Sequence, residues 1–407
     1  MQKRPASLVF IFITLLIDVL GFGVIIPVLP RLVSSLTGHG PSAGAHVFGL
    51  LMACFGLMQF LFSPLLGSLS DRYGRRPVLL LSLLFTVVDY VIQALAPTIE
   101  WLFVGRILAG ITGASFTVAN AYIADVTPPE KRAQSYGMIG AAFGIGFILG
   151  PAAGGLLGAV SPRAPFWAAA GLSLLNCIYG AFVLPESLAP ENRRALSAGN
   201  LNPLRGFGIL ARFPWVLAMA ASIGLLSLAQ QCLQSTWVLY TTYRYHWTPI
   251  DNGLSLALIG LMTAIVQVGL IRVLVPKLGE RRAVLVGFLF NVVGYLGFAL
   301  ASKGWMMYPV LIVWCLSGIA GPTIQGLLSK QYEANEQGAV QGALASLQSL
   351  TGVVGPILAT WIFGYFTGPT TPKIIPGSPF FLGAVLIIGA GVLARGALRR
   401  QATTAPA

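Results

Sequence analysis

GSLSDRYGRRPV, residues 67–78, packs one carboxylate and three arginines into the turn between two apolar runs, 46–70 and 78–96. Anchoring by cytoplasmic positive charge accounts for Arg72, Arg75 and Arg76, but not for Asp71. It does not account for Gly67 and Gly74 either, which permit a tight turn and a close approach of helices. The turn reads as a cytoplasmic latch whose charges change partners as two helix bundles rock. A related turn, PKLGERRAVL at 276–285, follows the second apolar run of its own half, as DRYGRRPVLL does at 71–80.

Sliding the chain on itself by 205 residues brings Gly74 onto Gly279, Gly137 onto Gly342, Gly150 onto Gly355 and Pro151 onto Pro356. A duplication explains the common offset. Copies in the same orientation make a parallel repeat about an axis along the membrane normal, which places substrate near the midplane between halves. The expected organisation is a six-helix bundle over 1–184, a polar cytoplasmic linker over 185–212 and a second six-helix bundle over 213–407. The fold class is all-α membrane protein, with twelve transmembrane helices in two pseudo-symmetric bundles.

Composition supports the membrane reading. Hydrophobic residues make up 56% of the 407 positions and charged residues 9%, too few charges to cover a water-soluble surface. Apolar runs of about 20 residues, enough to cross about 30 Å of hydrocarbon, recur along the chain. They are read at 6–30, 46–70, 78–96, 101–125, 134–158, 164–184, 213–241, 250–274, 282–301, 304–329, 336–366 and 378–398. The net charge of +13 does not mark a nucleic-acid binder, because the basic residues lie in short loops and not on one soluble face. Of the 25 Lys and Arg, 19 fall in the termini and the even-numbered loops, so both termini are expected in the cytoplasm. Cys54, Cys177, Cys232 and Cys315 lie in apolar runs at no metal-like spacing, so neither a metal site nor a disulfide framework is expected. The first run is interrupted by Asp18 and lacks a small-residue cleavage site, so it reads as a spanning helix and not a signal peptide.

The 67–78 turn resembles the signature GxLxDRxGRRP of the major facilitator superfamily. GRILAGITGASFTVANAYIADVTPPEKR (105–132) is similar to that family's fourth-helix and following-loop motif, which adds Asp125 and Arg132 to the candidate gate. GIGFILGPAAGG (144–155) resembles the glycine-proline motif of drug:proton antiporters on the fifth helix. Its Gly146, Gly150 and Gly154 make one small-residue face, and Pro151 bends the helix. Packing alone is the other reading of that face, and the repeat at Gly355-Pro356 weakens an inference restricted to antiporters. Within the superfamily, DVLGFGVIIPVLP (18–30), FGLMQFLFSPLLGSLSDRYGRRPVLL (55–80), SPRAPFWAAAGLSLLNCIYGAFVLPES (161–187) and LGERRAVL (278–285) resemble the tetracycline efflux proteins. The similarity covers nearly the whole chain and thins after about residue 360.

Charges within the spans are few. Asp18 lies near the middle of the first span, roughly 18 Å from either surface at 1.5 Å of rise per residue. Asp89 and Arg106 lie at matching depths nearer the outer face, within roughly 7 to 10 Å of it. A carboxyl removed from water favours its protonated form, which suits a group that binds and releases a proton during transport. A structural ion pair is the alternative for Asp89. In the tetracycline pumps that this chain resembles, acids matching Asp18 and Asp89 and the arginine matching Arg106 are implicated in coupling or substrate handling.

Apart from Asp251 at the edge of the run 250–274, the second half carries no acid within a span, so coupling is expected in the first half. Its buried polar groups are amides, including Gln230, Gln231, Gln234, Gln267, Asn291 and Gln325, suited to a polar substrate wall or to hydrogen bonds between helices. The candidate substrate-binding set is Gln59, Tyr90, Asn120, Gln231, Gln234, Trp237, Thr263, Gln267, Asn291 and Gln325. Aromatic residues including Phe55, Phe60, Phe116 and Tyr240 would suit a planar drug or simply pack. Asn291 stands where the resembling pumps carry a ninth-helix acid, and Thr263 where they carry an eighth-helix histidine, so a metal–tetracycline complex is a less secure substrate than efflux itself. His39, His46 and His246 fall in outer loops and supply no relay.

The expected function is proton-coupled antiport of an amphipathic compound, with the proton gradient as energy source and no cofactor. An uptake carrier for a sugar or other metabolite shares the same fold, and a non-transporting receptor or lipid-handling protein is a more distant alternative. An enzyme is not expected, since no nucleophile–base pair, metal cluster or phosphate loop is evident. The expected partners are a small amphipathic substrate, protons and the bilayer, with the chain acting as a monomer in the bacterial inner membrane.

Overall fold

The computed structural model describes residues 6–38, 41–113, 115–127, 132–193, 207–329, 331–332, 337–368 and 371–404. Among the described residues the regular structure is entirely helical, as lipid requires, because a helix satisfies its backbone hydrogen bonds within one segment. The first half contains α1 (Ala6–Ile25), α2 (Leu29–Thr37), α3 (Pro41–Tyr73), α4 (Arg75–Leu95), α5 (Ile99–Thr112), α6 (Ser115–Val126), α7 (Arg132–Val160) and α8 (Ala164–Val183). A short α9 (Phe207–Leu210) precedes α10 (Pro214–Tyr245), α11 (Pro249–Ile265), α12 (Ile271–Leu278) and α13 (Glu280–Leu300). The last four are α14 (Met307–Cys315), α15 (Ala320–Ser329), α16 (Gln337–Thr367) and α17 (Ser378–Thr404).

Among the described residues, ten helical stretches are long and apolar enough to span a bilayer, and α1 with α2, bent by 41°, makes an eleventh. Pro27 lies in that bend, where it cannot donate to a preceding carbonyl. The run expected at 250–274 is helical too, but a π turn at Val266–Leu270 divides it into α11 and α12. Large apolar side chains on the helix surfaces remain open, including Phe182 at 87% and Val160 at 82% exposure, a surface matched to hydrocarbon chains.

The duplication is visible in the helix ends. Shifted by 205, Arg75–Leu95 becomes Glu280–Leu300, the bounds of α13, and Tyr73 becomes Leu278, the last residue of α12. Gly74 and Gly279 each precede the paired helices with positive φ, 106° and 75°. Pro151 and Pro356 each lie inside a long helix, α7 and α16.

Two compact units result. Unit 1 comprises Met1–Gly38, Cys54–Asn202 and Thr248–Gly260, and unit 2 comprises His39–Ala53, Pro203–Trp247 and Leu261–Ala407. In unit 1, α1 packs against α7 and α8, while α4 packs against α5, α6 and α8. Phe10, Leu15, Leu79, Tyr122 and Leu184 belong to its buried core. In unit 2, α10 packs on α16 and α17, and α13 on α14, α15 and α17. There Trp237 meets Phe298 and Tyr240 meets Phe380 edge to face, with Trp237 and Phe298 centroids 5.2 Å apart, and Phe298 and Phe380 pack tilted.

Candidate functional site

Arg75 organises the turn between α3 and α4. Only 8% exposed, it is the first residue of α4, directly after Gly74. Its Nη1 donates to Asp71 Oδ1 and Ser70 Oγ, both at 2.6 Å, and its Nε donates to Asp125 Oδ2 at 3.1 Å. One guanidinium thus ties the end of α3 to the end of α6 through charge-assisted bonds. Ser187 Oγ also donates to Asp125 Oδ2, at 3.0 Å. Arg72 lies over the Tyr73 ring at 5.2 Å, and Arg76 Nη2 donates to Ala181 O at 2.7 Å. Arg132 opens α7, but its side chain lies outside the described residues.

Glu186 completes this turn. Its carboxylate accepts from the backbone N–H groups of Arg75 at 2.8 Å and Arg76 at 3.2 Å, and from Ser187 and Leu188 at 3.0 Å each. The first N–H groups of a helix lack intrahelical partners and favour negative charge, so Glu186 acts as a remote cap of α4. Gly74 has two reasons to be glycine: its φ of 106° and the Glu186 carboxylate that would meet any Cβ. Gly67 is less constrained: among the described residues only the Thr117 methyl is near its Cβ position, at 3.8 Å.

Deeper in unit 1, α4 and α5 share a buried ionic group. Arg106 Nη2 donates to Asp89 Oδ2 at 3.3 Å, and Gln93 Nε2 donates to Asp89 Oδ1 at 2.6 Å. Asp89 and Arg106 are 1% and 4% exposed. The guanidinium also lies 5.6 Å from the Phe55 ring centroid. A Cβ at Gly105 would stand 2.7 Å from Asp89 Oδ1, so the glycine lets α5 reach the carboxylate. Among the described residues Arg106 Nε and Gln93 Oε1 have no hydrogen-bond partner, so the group retains bonding capacity. Tyr90 lies within electrostatic reach of Asp18, Asp89 and Arg106, which gathers α1, α4 and α5 around one hydroxyl. Asp18 itself is partly buried on α1.

The small-residue face of α7 holds α1. Cβ atoms at Gly146 and Gly150 would lie 2.6 Å from the Val19 side chain and 2.9 Å from Gly23 Cα, and one at Gly154 would strike the Val24 backbone. Pro151 packs at Gly23 from the same helix. Close backbone approach, possible only with small residues, therefore positions the segment that carries Asp18.

The ten candidate substrate residues divide by environment. Asn120, Gln234, Gln267 and Gln325 are exposed on their helices, and Gln267 sits in the π turn, a distortion frequent at functional sites. Gln59, Gln231 and Thr263 are half-buried; Gln59 Nε2 approaches Gly113 O at 3.4 Å, and Thr263 reaches the Cys315 thiol. Tyr90, Trp237 and Asn291 are buried. Asn291 Oδ1 accepts from Trp314 Nε1 at 3.0 Å, joining α13 to α14, and Trp237 stacks edge-on against Phe298. Phe116's side chain lies outside the described residues, whereas the Tyr240 hydroxyl donates to Phe298 O at 2.8 Å.

Three contributors escaped the sequence reading: Glu186, Gln93 and Gly105. Each left a trace. Glu186 is one of only 12 acids and closes the stretch ending in PES; Gln93 follows Asp89 by one helical turn; Gly105 precedes the intramembrane arginine.

The sequence pattern of the Major Facilitator Superfamily matches residues 11–356. The chain is 40% identical to a tetracycline resistance protein, class C, of Escherichia coli, over 99% of this chain and 100% of that one. It is 38% identical to the class B protein of Escherichia coli over 86% of each chain. Among solved structures, the human organic anion transporter MFSD10 (TETRAN) superimposes with a TM-score of 0.72 and 26% identity, over 96% of this chain and 100% of that one. A bacterial homolog of the human lysosomal transporter Spinster, inward-facing and occupied, superimposes over 100% of both chains with a TM-score of 0.79. At 16% identity, that likeness concerns the fold alone.

Proposed function

The chain belongs to the Major Facilitator Superfamily, and we propose that it exports tetracycline or a related amphipathic drug from the cytoplasm in exchange for protons, by alternating access. The near full-length similarity to tetracycline resistance proteins carries this reading. It is a transporter and not an enzyme. The geometry supplies the parts such a cycle needs. Asp18 and Asp89 are the proton-accepting carboxylates, and Arg106 holds Asp89 charged until a proton arrives. The Arg75–Asp71–Asp125 group acts as a latch that re-forms in each cycle.

Asn120, Gln234, Gln267 and Gln325 are assigned to the substrate wall, because polar side chains left open on spanning helices suit a hydrated path better than lipid. The chain sits in the bacterial inner membrane with both termini in the cytoplasm and works as a monomer; the proton gradient replaces any cofactor. The test is drug transport by the full chain in inverted vesicles under an imposed pH gradient, with Asp18→Asn beside the wild type. Gradient-driven tetracycline uptake by the wild type, lost in the variant while the protein still folds, is expected. Transport indifferent to the gradient would sink the proposal.

A further inference from the structure

Below Asp18, the seam between α1 and α8 contains polar groups that the cycle above does not use. Asn176 Nδ2 donates to Thr14 O at 3.2 Å, and a Cβ at Gly180 would lie 3.1 Å from Phe10 Cζ. The helices therefore run antiparallel, with residue 14 beside 176 and residue 10 beside 180. That register brings Ser173 level with residues 17 and 18. Phe10, Thr14 and Asp18 recur every four residues along one stripe of α1. Ser173, Asn176 and Gly180 form the facing stripe of α8.

Thr14, Ser173 and Asn176 are 1%, 0% and 0% exposed. Yet Thr14 Oγ1, Ser173 Oγ and Asn176 Oδ1 have no hydrogen-bond partner among the described residues. Elsewhere in the spans, many hydroxyls turn back on their own helix. Thr236, Thr241, Thr323, Thr360 and Thr367 each donate to the carbonyl four residues earlier. Thr14 and Ser173 do not. An unpaired buried polar atom forfeits its hydrogen bonds to water, so three in one seam would be a heavy penalty if packing were their only role. A buried water needs two to four polar partners, and two hydroxyls with an amide oxygen supply three.

We infer that Thr14, Ser173 and Asn176 hold water that carries the proton from Asp18 toward the cytoplasmic end of α1. Protonated Asp18 gives its proton to the adjacent water, and that water passes a proton on to the next acceptor along the seam. The carboxylate is left charged and the water is restored. The three side chains are positioning residues, and the inference rests on Asp18 being the proton carrier of the proposed antiport.

Two assays on the full chain in proteoliposomes separate proton passage from substrate handling: tetracycline uptake driven by a pH gradient, and tetracycline exchange with no gradient, which needs no net proton movement. Thr14→Val and Asn176→Leu should lower driven uptake tenfold or more with a much smaller effect on exchange. Thr14→Ser, which keeps the hydroxyl, should restore driven uptake. Where Asn176→Leu fails to fold, Ser173→Ala removes a single atom and should show the same split. Equal losses in both assays, or no loss in either, would overturn the inference. A wild type that exchanges drug but ignores the gradient would instead bring down the antiport reading itself.

Discussion

Arg106 Nη2 stands 3.3 Å from Asp89 Oδ2 in unit 1, and both side chains are almost free of solvent. Removing one member of such a pair strands a charge where water cannot reach it. Arg106→Ala should therefore lower stability by about 3–5 kcal/mol. The neutral double replacement Asp89→Asn with Arg106→Gln should recover most of that loss, because no uncompensated charge remains. Denaturation midpoints of the purified proteins in detergent measure both effects. The double variant should stay inactive in gradient-driven transport, and recovered transport would reduce the pair to scaffolding.

Gly74 and Gly279 occupy equivalent turns, each with positive φ, but only Gly74 has a carboxylate against its Cβ position. Alanine at either position meets backbone strain of about 1–3 kcal/mol. Gly74→Ala must also displace Glu186 and so disturbs four backbone hydrogen bonds, at the start of α4 and in the segment that follows α8. We expect Gly74→Ala to be the more destabilising of the two and to impair transport, with Gly279→Ala affecting stability alone. Paired thermal melts and vesicle transport read the difference, and equal effects would remove Glu186 from the latch.

The helical frame was legible because lipid leaves a chain few options, and a duplication reports the same helix twice. The runs read at 78–96 and 282–301 lie within a few residues of α4 and α13, and the offset of 205 relates the two helices to the residue. The π turn in the eighth run was not legible: Val266–Leu270 carries no proline, and its backbone register depends on neighbours. At the site, intramembrane charge made Asp18, Asp89 and Arg106 conspicuous. Asn291 and Gln267 looked alike as buried amides, because composition does not give rotation about the helix axis. One side chain meets Trp314 and the other lies open. Glu186 was hidden for a related reason, since it caps a helix more than a hundred residues away in sequence.

That contrast between amides can be tested directly. Asn291→Leu leaves the buried Trp314 N–H without its acceptor and should lower stability by about 1–3 kcal/mol. Gln267→Ala removes an exposed side chain and should leave the melting temperature nearly unchanged while raising the KM for drug several-fold. Both quantities come from the same purified protein. A stability loss in Gln267→Ala with unaltered KM would withdraw the residue from the substrate wall.

The glycines of α7 predict a graded series along one helix. A Cβ at Gly154 would strike Val24 backbone atoms, which cannot rotate aside; one at Gly146 meets the Val19 side chain; one at Gly144 meets nothing within 4 Å among the described residues. Overpacking against fixed backbone costs about 1–3 kcal/mol, whereas alanine in open helix surface should gain about 0.4–1 kcal/mol from its lower unfolded entropy. Gly154→Ala should thus be the most harmful, Gly146→Ala intermediate and Gly144→Ala neutral or stabilising, as read by thermal melts. Gly154→Ala must also push α1 away from α7, moving the helix that carries Asp18, so driven transport should fall further than the stability loss alone explains. If Gly144→Ala proved as harmful as Gly154→Ala, general intolerance of α7 to bulk would replace close approach to α1 as the explanation.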